Sequence, residues 1–202
     1  MGSLLKEHAD ENFHGPKRER PLGHHSSIIG AKNYIEAKGL DFDKYFTFTL
    51  TRNPWSREYS QFNYRRLQYN KHTSENTFSK LSKRRQKDLQ KSTKYPDFKS
   101  FLLNKSMQEH RKRSPEKHLT ISKIVAVKYV AKLENLDESL RFLSDKIGID
   151  ITAFPHSNKR DQKRRELKDV YDREMVEASL RLFAWEIKNL NYDFDSCAHL
   201  KC

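Results

Sequence analysis

Cysteine is almost missing from this chain: Cys197 and Cys202, both near the C-terminus, are the only two. Two cysteines cannot build the disulfide framework that holds small secreted domains together, and a pair between them would sit in a fraying tail. Long apolar runs are missing as well. No stretch approaches the ~20 residues that span a bilayer, and no signal peptide is visible, so the sequence as given predicts a soluble chain. An anchor upstream of residue 1 stays open. Metal-ligand spacing is absent too, because Cys197 and Cys202 have no partner pair and the histidines are not spaced as a zinc site requires. No metal is therefore expected. Apolar residues make up 35% of the chain and charged residues 33%, so any core is modest for the length. The 202 residues suffice for one domain.

Acidic residues are scarce in one region only. Between Arg65 and Lys117 there are 16 lysines and arginines against 5 acids, while the rest of the chain holds 24 bases and 22 acids. The net charge of +13 is thus regional. A localised basic surface draws polyanions: nucleic acid, anionic membrane, or sulfated and carboxylated glycans. Tyr69, Phe78 and Tyr95 interleave with these bases, and Phe98, Phe101, Leu102 and Leu103 predict a helix that packs back on the domain. Two readings stay open for this stretch: a solvated insertion, or a surface that binds an acceptor.

What is present in strength is a strand–turn–helix over residues 45–60. Tyr45 to Thr51 is rich in aromatic and β-branched residues, which suits a half-buried strand. Asn53 is a good N-cap and Pro54 fits the first helical position, where a missing N–H costs nothing. Trp55, Tyr59 and Phe62 then give the helix an apolar side. Arg52 falls at the carboxyl end of the strand beside a helix N-terminus, a place suited to anions. Ser56 and Ser60 follow on one face of the helix. Arg52 and a serine hydroxyl are expected to converge on one phosphate.

Elsewhere the pattern alternates. Met1 to His14 predicts a short helix, and Gly15 to Gly23 a breaker-rich loop. Ser27 to Lys38 predicts a helix capped by Ser26 or Ser27 and ended by Gly39. Ile121 to Leu133 is a second strand region. Leu136, Leu140 and Leu143 mark the buried face of the helix that follows, with Gly148 after its end. A C-terminal helix is expected from about Asp169 to Asn189, before Tyr192-Asp193-Phe194.

The run Thr-Leu-Thr-Arg-Asn-Pro-Trp-Ser-Arg-Glu-Tyr-Ser over residues 49–60 resembles the 3′-phosphate-binding motif of the carbohydrate sulfotransferases, the membrane-associated type and its bacterial relatives. Further blocks match that family in order: His25-Ser26-Ser27, then Phe42-Asp43-Lys44-Tyr45-Phe46-Thr47-Phe48, then Lys132-Leu133-Glu134-Asn135-Leu136, then Phe154-Pro155-His156-Ser157-Asn158-Lys159-Arg160. The matched blocks span residues 25 to 64 and 121 to 194. The resemblance implies a single α/β domain over residues 1–202. It would be a three-layer α/β/α fold with a short parallel sheet, P-loop-like in architecture, with the basic, largely helical stretch at about 65–117 as an insertion. It implies transfer of a sulfuryl group from 3′-phosphoadenosine 5′-phosphosulfate (PAPS) to a carbohydrate hydroxyl, the glycan acceptor itself a candidate polyanion.

The resemblance places Arg52 and Ser60 on the 3′-phosphate. Asn158, Lys159 and Arg160 match a loop that closes over the cofactor, where Lys159 or Arg160 can pair with a phosphate. The proton of the acceptor hydroxyl needs a base. His25 matches the family's histidine, His24 is one residue away and equally placed, and His156 is better suited to ordering its own loop. The chain departs from the family at its start. The family's first strand ends in a Pro-Lys-Thr/Cys-x-x-Thr-Ser loop for the 5′-phosphosulfate. Here Ser3 corresponds to the tail of that loop, while the strand and its lysine are not in the sequence. The expectation is an N-terminally truncated or degenerate member lacking its first strand, with transfer impaired by about 100- to 1000-fold for the lost electrostatic donor. A complete chain would be cytoplasmic, and a fragment of a eukaryotic enzyme would belong to the Golgi lumen or membrane. The rival from another class is a non-enzymatic module that binds polyanions or nucleic acid through residues 65–117.

Overall fold

A computed structural model describes residues 26–112, 114–152, 165–197 and 199–200. The described residues group into two compact units. One holds residues 26–51 and 115–152, the other residues 52–112, 114, 165–197 and 199–200. The chain is mixed α/β and mostly helical, with a short parallel sheet, as the sequence implied.

In the first unit, Ser27 caps helix α1 (Ile28–Ala37) by accepting a hydrogen bond from the Gly30 N–H. A 3-10 turn at Phe42–Lys44 follows, capped by Asp41. Strand β1 is therefore shorter than the aromatic run suggested, covering Phe48–Thr51. The second strand region contains a reversal. Helix α6 (Glu116–Leu119) leads into β2 (Thr120–Ile121), which pairs antiparallel with β3 (Ile124–Val125). Ser122 and Lys123 make the turn between them with φ of 50° and 68°, the left-handed pair that a two-residue hairpin needs. Strand β4 (Tyr129–Lys132) then pairs in parallel with β1, Phe48 opposite Tyr129 and Thr51 opposite Lys132.

Helix α7 (Leu136–Ile147) completes this unit. Its buried residues include Leu136, Leu140 and Leu143, which form one cluster with Ile151 and pack against Phe46, Phe48 and Tyr129. Phe142 adds a ring contact to Tyr129, centroids 4.3 Å apart. Gly148 ends the helix at φ 69°, a left-handed cap that costs glycine nothing.

The second unit is helical. Helix α2 (Pro54–Ser74) is its longest element at 21 residues. The basic stretch continues as α3 (Lys83–Thr93), α4 (Phe98–Leu103) and α5 (Met107–Arg111). It packs through its aromatic residues: Phe98 lies 5.0 Å from Tyr59 and 5.4 Å from Phe62, ring centre to ring centre. The C-terminal helix expected over Asp169–Asn189 is divided. Asp172 accepts from the Met175 N–H, so α8 begins only at Arg173 and runs to Leu182. Phe183 leaves helical geometry, and α9 (Ala184–Leu190) and α10 (Phe194–Cys197) follow. Phe183 is fully buried, and its ring meets Trp55 edge-on at 5.7 Å, a contact a straight helix would have to aim by other means.

A buried ion pair lies in this interior. Lys105 Nζ sits 2.5 Å from Glu58 Oε2, with the two side chains 4% and 3% exposed. Burial pushes the Lys105 ammonium below its usual range, and the Glu58 carboxylate offsets only part of that. Removing one partner of such a pair leaves a buried charge unanswered, while replacing both by apolar groups is close to neutral. Lys105→Met is thus expected to cost about 3–5 kcal/mol. Glu58→Leu added to it should recover most of the loss. Chemical denaturation of the three proteins measures this, and a double variant no more stable than the single one would contradict it.

Candidate active site

The first turn of α2 carries the motif and lies within the second unit. Asn53 is the N-cap: its side-chain oxygen accepts from the Ser56 N–H at 2.9 Å, and Pro54 follows at the first helical position. Arg52 precedes the cap and folds back over the turn. Its Nε and Nη2 both donate to Ser56 Oγ, at 3.0 and 2.7 Å. Two donors into one hydroxyl oxygen orient the guanidinium and leave the hydroxyl proton to donate elsewhere. Ser56 is buried and Arg52 half-buried. Ser60 is half-buried one turn further along the same face.

The sequence pointed to Arg52 and Ser60 together. The hydroxyl that the structure sets directly on Arg52 is Ser56, one turn earlier. Its signal was already present, since residues four apart share a helix face. The remaining candidates, Ser3, His24, His25, His156, Asn158, Lys159 and Arg160, lie outside the described residues.

The turn is held by its neighbours. Trp55 is fully buried; its indole N–H donates to Ser179 Oγ at 2.6 Å, and its ring meets Phe194 at 5.4 Å. The Tyr171 hydroxyl donates to the Trp55 carbonyl at 3.0 Å. Arg57 Nη2 donates to Glu186 Oε1 at 2.8 Å, and His110 Nε2 lies 3.5 Å from the same oxygen. Glu186 is fully buried. Burial alone would push its carboxyl up, but the His110 ring and the Arg57 guanidinium outweigh it and hold the group below the ordinary carboxylate range. Nothing local in sequence announces this network, because Glu186 follows Arg57 by 129 residues.

An oriented guanidinium beside the start of a long helix favours an anion. The helix terminus carries partial positive charge, and the planar fork matches phosphate or sulfate. Among the described residues no group of three or more His, Cys, Asp or Glu is placed to hold a metal ion, and no helix is long and apolar enough to cross a membrane.

Two outcomes test these supports. Asn53→Ala removes the cap, with an expected loss of about 1 kcal/mol, or roughly 2–4 °C in Tm; thermal melts measure it, and an unchanged Tm would deny the cap its role. Glu186 has a folded pKa below its unfolded one. Its stabilisation is therefore full above the unfolded carboxylate range, about pH 4–5, and is lost as pH falls through the folded value. Glu186→Gln should destabilise the protein at neutral pH, and its gap from the parent should shrink below about pH 4. A gap that stays constant in denaturant titrations at both pH values would show that the charge is not what stabilises.

No curated relative and no solved structure gives a significant match. The sequence model of the Sulfotransferase family matches residues 17–193. That span covers most of the chain and includes the Arg52–Asn53–Pro54 turn together with Tyr171, Ser179, Phe183 and Glu186, which hold it, so the chain belongs to the sulfotransferase family, whose members transfer a sulfuryl group.

Proposed function

We propose that this chain transfers a sulfuryl group from PAPS to a hydroxyl of a carbohydrate acceptor. Membership of the family supports the reaction class and the use of PAPS as donor. The observation that carries the site is the Arg52 guanidinium, clamped on Ser56 Oγ at the N-terminus of α2. Arg52 and Ser60 would hold the 3′-phosphate. The two bonds from Arg52 to Ser56 set the angle of the fork, so Ser56 is a positioning residue. When bound, the donor supplies the sulfuryl group and a phosphate leaving group.

The chain's own tasks are to align the acceptor hydroxyl, to take its proton and to place positive charge near the leaving phosphate. His25 is the proposed base, with His24 as the alternative. Ser3 is assigned to the 5′-phosphosulfate side. Asn158, Lys159 and Arg160 are assigned to a loop over the nucleotide, where either cation can neutralise phosphate. No step calls for a metal.

Binding of adenosine 3′,5′-bisphosphate tests the site. Calorimetric titration is expected to show micromolar-type affinity. In Arg52→Ala that affinity should fall by about 10- to 100-fold, the worth of charge-assisted hydrogen bonds to a phosphate. Ser60→Ala should weaken it by about fivefold, the worth of one ordinary hydrogen bond. Affinity indifferent to Arg52 would overturn the assignment. Sulfotransfer to a glycan, assayed for this chain with and without an added upstream strand and lysine-bearing loop, measures how far turnover depends on that loop.

A further inference from the structure

The basic stretch contains a cavity that the donor site does not use. Lys87, Gln90, Lys91 and Lys94 recur at i, i+3, i+4 and i+7 along α3 and its C-cap, so they share one face. They line a cavity of about 310 Å³, walled also by Tyr95, Phe101 and Glu109. The positive charges around it differ in how they are answered. Lys105 is paired with Glu58, and Arg65 lies 3.6 Å from Asp88. Lys91 donates to Glu109 Oε1 at 3.0 Å. Lys87 and Lys94 are exposed and meet no carboxylate among the described residues; Lys94 Nζ lies only over the Tyr95 ring, 5.9 Å from its centre.

The cavity therefore presents two unanswered ammonium groups at the ends of a helix face, with a neutral middle formed by Gln90 and the Lys91–Glu109 pair. Seven residues at 1.5 Å each separate the two lysines by about 10 Å along the axis. A single compact anion needs donors that converge, and these do not. A nucleic acid duplex carries one phosphate for about every 1.7 Å of its axis and would call for cations along the whole face. Anions held apart on non-adjacent sugar rings fit the spacing, and a partly exposed tyrosine offers the apolar wall that a sugar ring packs on. We propose that this cavity is a second binding site, for a short sulfated oligosaccharide, with Lys87 and Lys94 each taking one sulfate and Tyr95 the ring between them. The site goes beyond the donor pocket and does not depend on Arg52.

The test is titration calorimetry of the full chain with fully sulfated maltohexaose. Unsulfated maltohexaose and a single-stranded oligonucleotide of equal charge serve as comparisons. Binding of the sulfated sugar is expected, with Kd raised at least tenfold in Lys87→Ala/Lys94→Ala and raised also in Tyr95→Ala. The double variant should bind adenosine 3′,5′-bisphosphate as the parent does, which also shows that it is folded. Lys71→Ala/Lys188→Ala, which removes two lysines elsewhere, should leave sugar binding nearly unchanged. Equal losses in the two double variants would reduce the effect to general charge and overturn the site. So would sugar binding that ignores Lys87 and Lys94, or an oligonucleotide bound as tightly through the same lysines. Failure of the nucleotide titration alone would instead count against the donor pocket.

Discussion

Burial of Trp55 is the constraint on which the active-site turn depends. The ring is closed off from solvent, bonded through its N–H to Ser179 and flanked by Phe183 and Phe194. Burying an aromatic side chain of this size contributes about 5 kcal/mol at most by area, more than any single surface contact supplies. Because Trp55 is the second residue of α2, that burial pins the start of the helix against elements that arrive more than a hundred residues later. The Asn53 cap, the Arg57–Glu186 pair and the fold-back of Arg52 onto Ser56 all sit within one turn of it. A guanidinium on a frayed turn would spend much of any binding energy on ordering itself. Here that ordering is settled before an anion arrives.

The charges divide into two populations that do different work. Glu58–Lys105 and Glu186–His110 are buried, with Arg57 half-buried beside Glu186, so losing one partner leaves a charge unanswered away from water. Lys87 and Lys94 on the outer face of α3 are exposed and contribute little to folding. Nine of the fifteen described lysines and arginines between Arg65 and Lys117 are exposed, so much of the positive charge of that stretch faces solvent. The stretch is also more structured than a solvated insertion, since Phe98, Phe101, Leu102 and Leu89 are buried.

Much of the fold was legible where one residue type has one cheap use. Ser27 and Asn53 cap helices because a short side-chain oxygen reaches the free N–H groups of a first turn. Leu136, Leu140 and Leu143 line up on α7 because a helix repeats every 3.6 residues. Boundaries were less legible. The run from Ile121 to Leu133 is uniformly β-favouring, yet it breaks into a hairpin and a separate strand because Ser122 and Lys123 adopt left-handed geometry without glycine to announce it. Likewise nothing in residues 169–189 marks Phe183 as a break.

What the sequence alone determined is the strand–cap–helix order around Arg52, the family resemblance it carries, and the confinement of positive charge to one region, because these rest on neighbours in the chain. The tertiary structure alone decided that Ser56 is the hydroxyl on Arg52, that Glu186 answers Arg57, and that Lys105 is spent on Glu58 while Lys87 and Lys94 meet no carboxylate among the described residues. Those outcomes depend on which side chains are brought within a few ångströms and shut away from water. Charges that are equivalent in a sequence become unequal once some are buried with a partner and others are left in solvent.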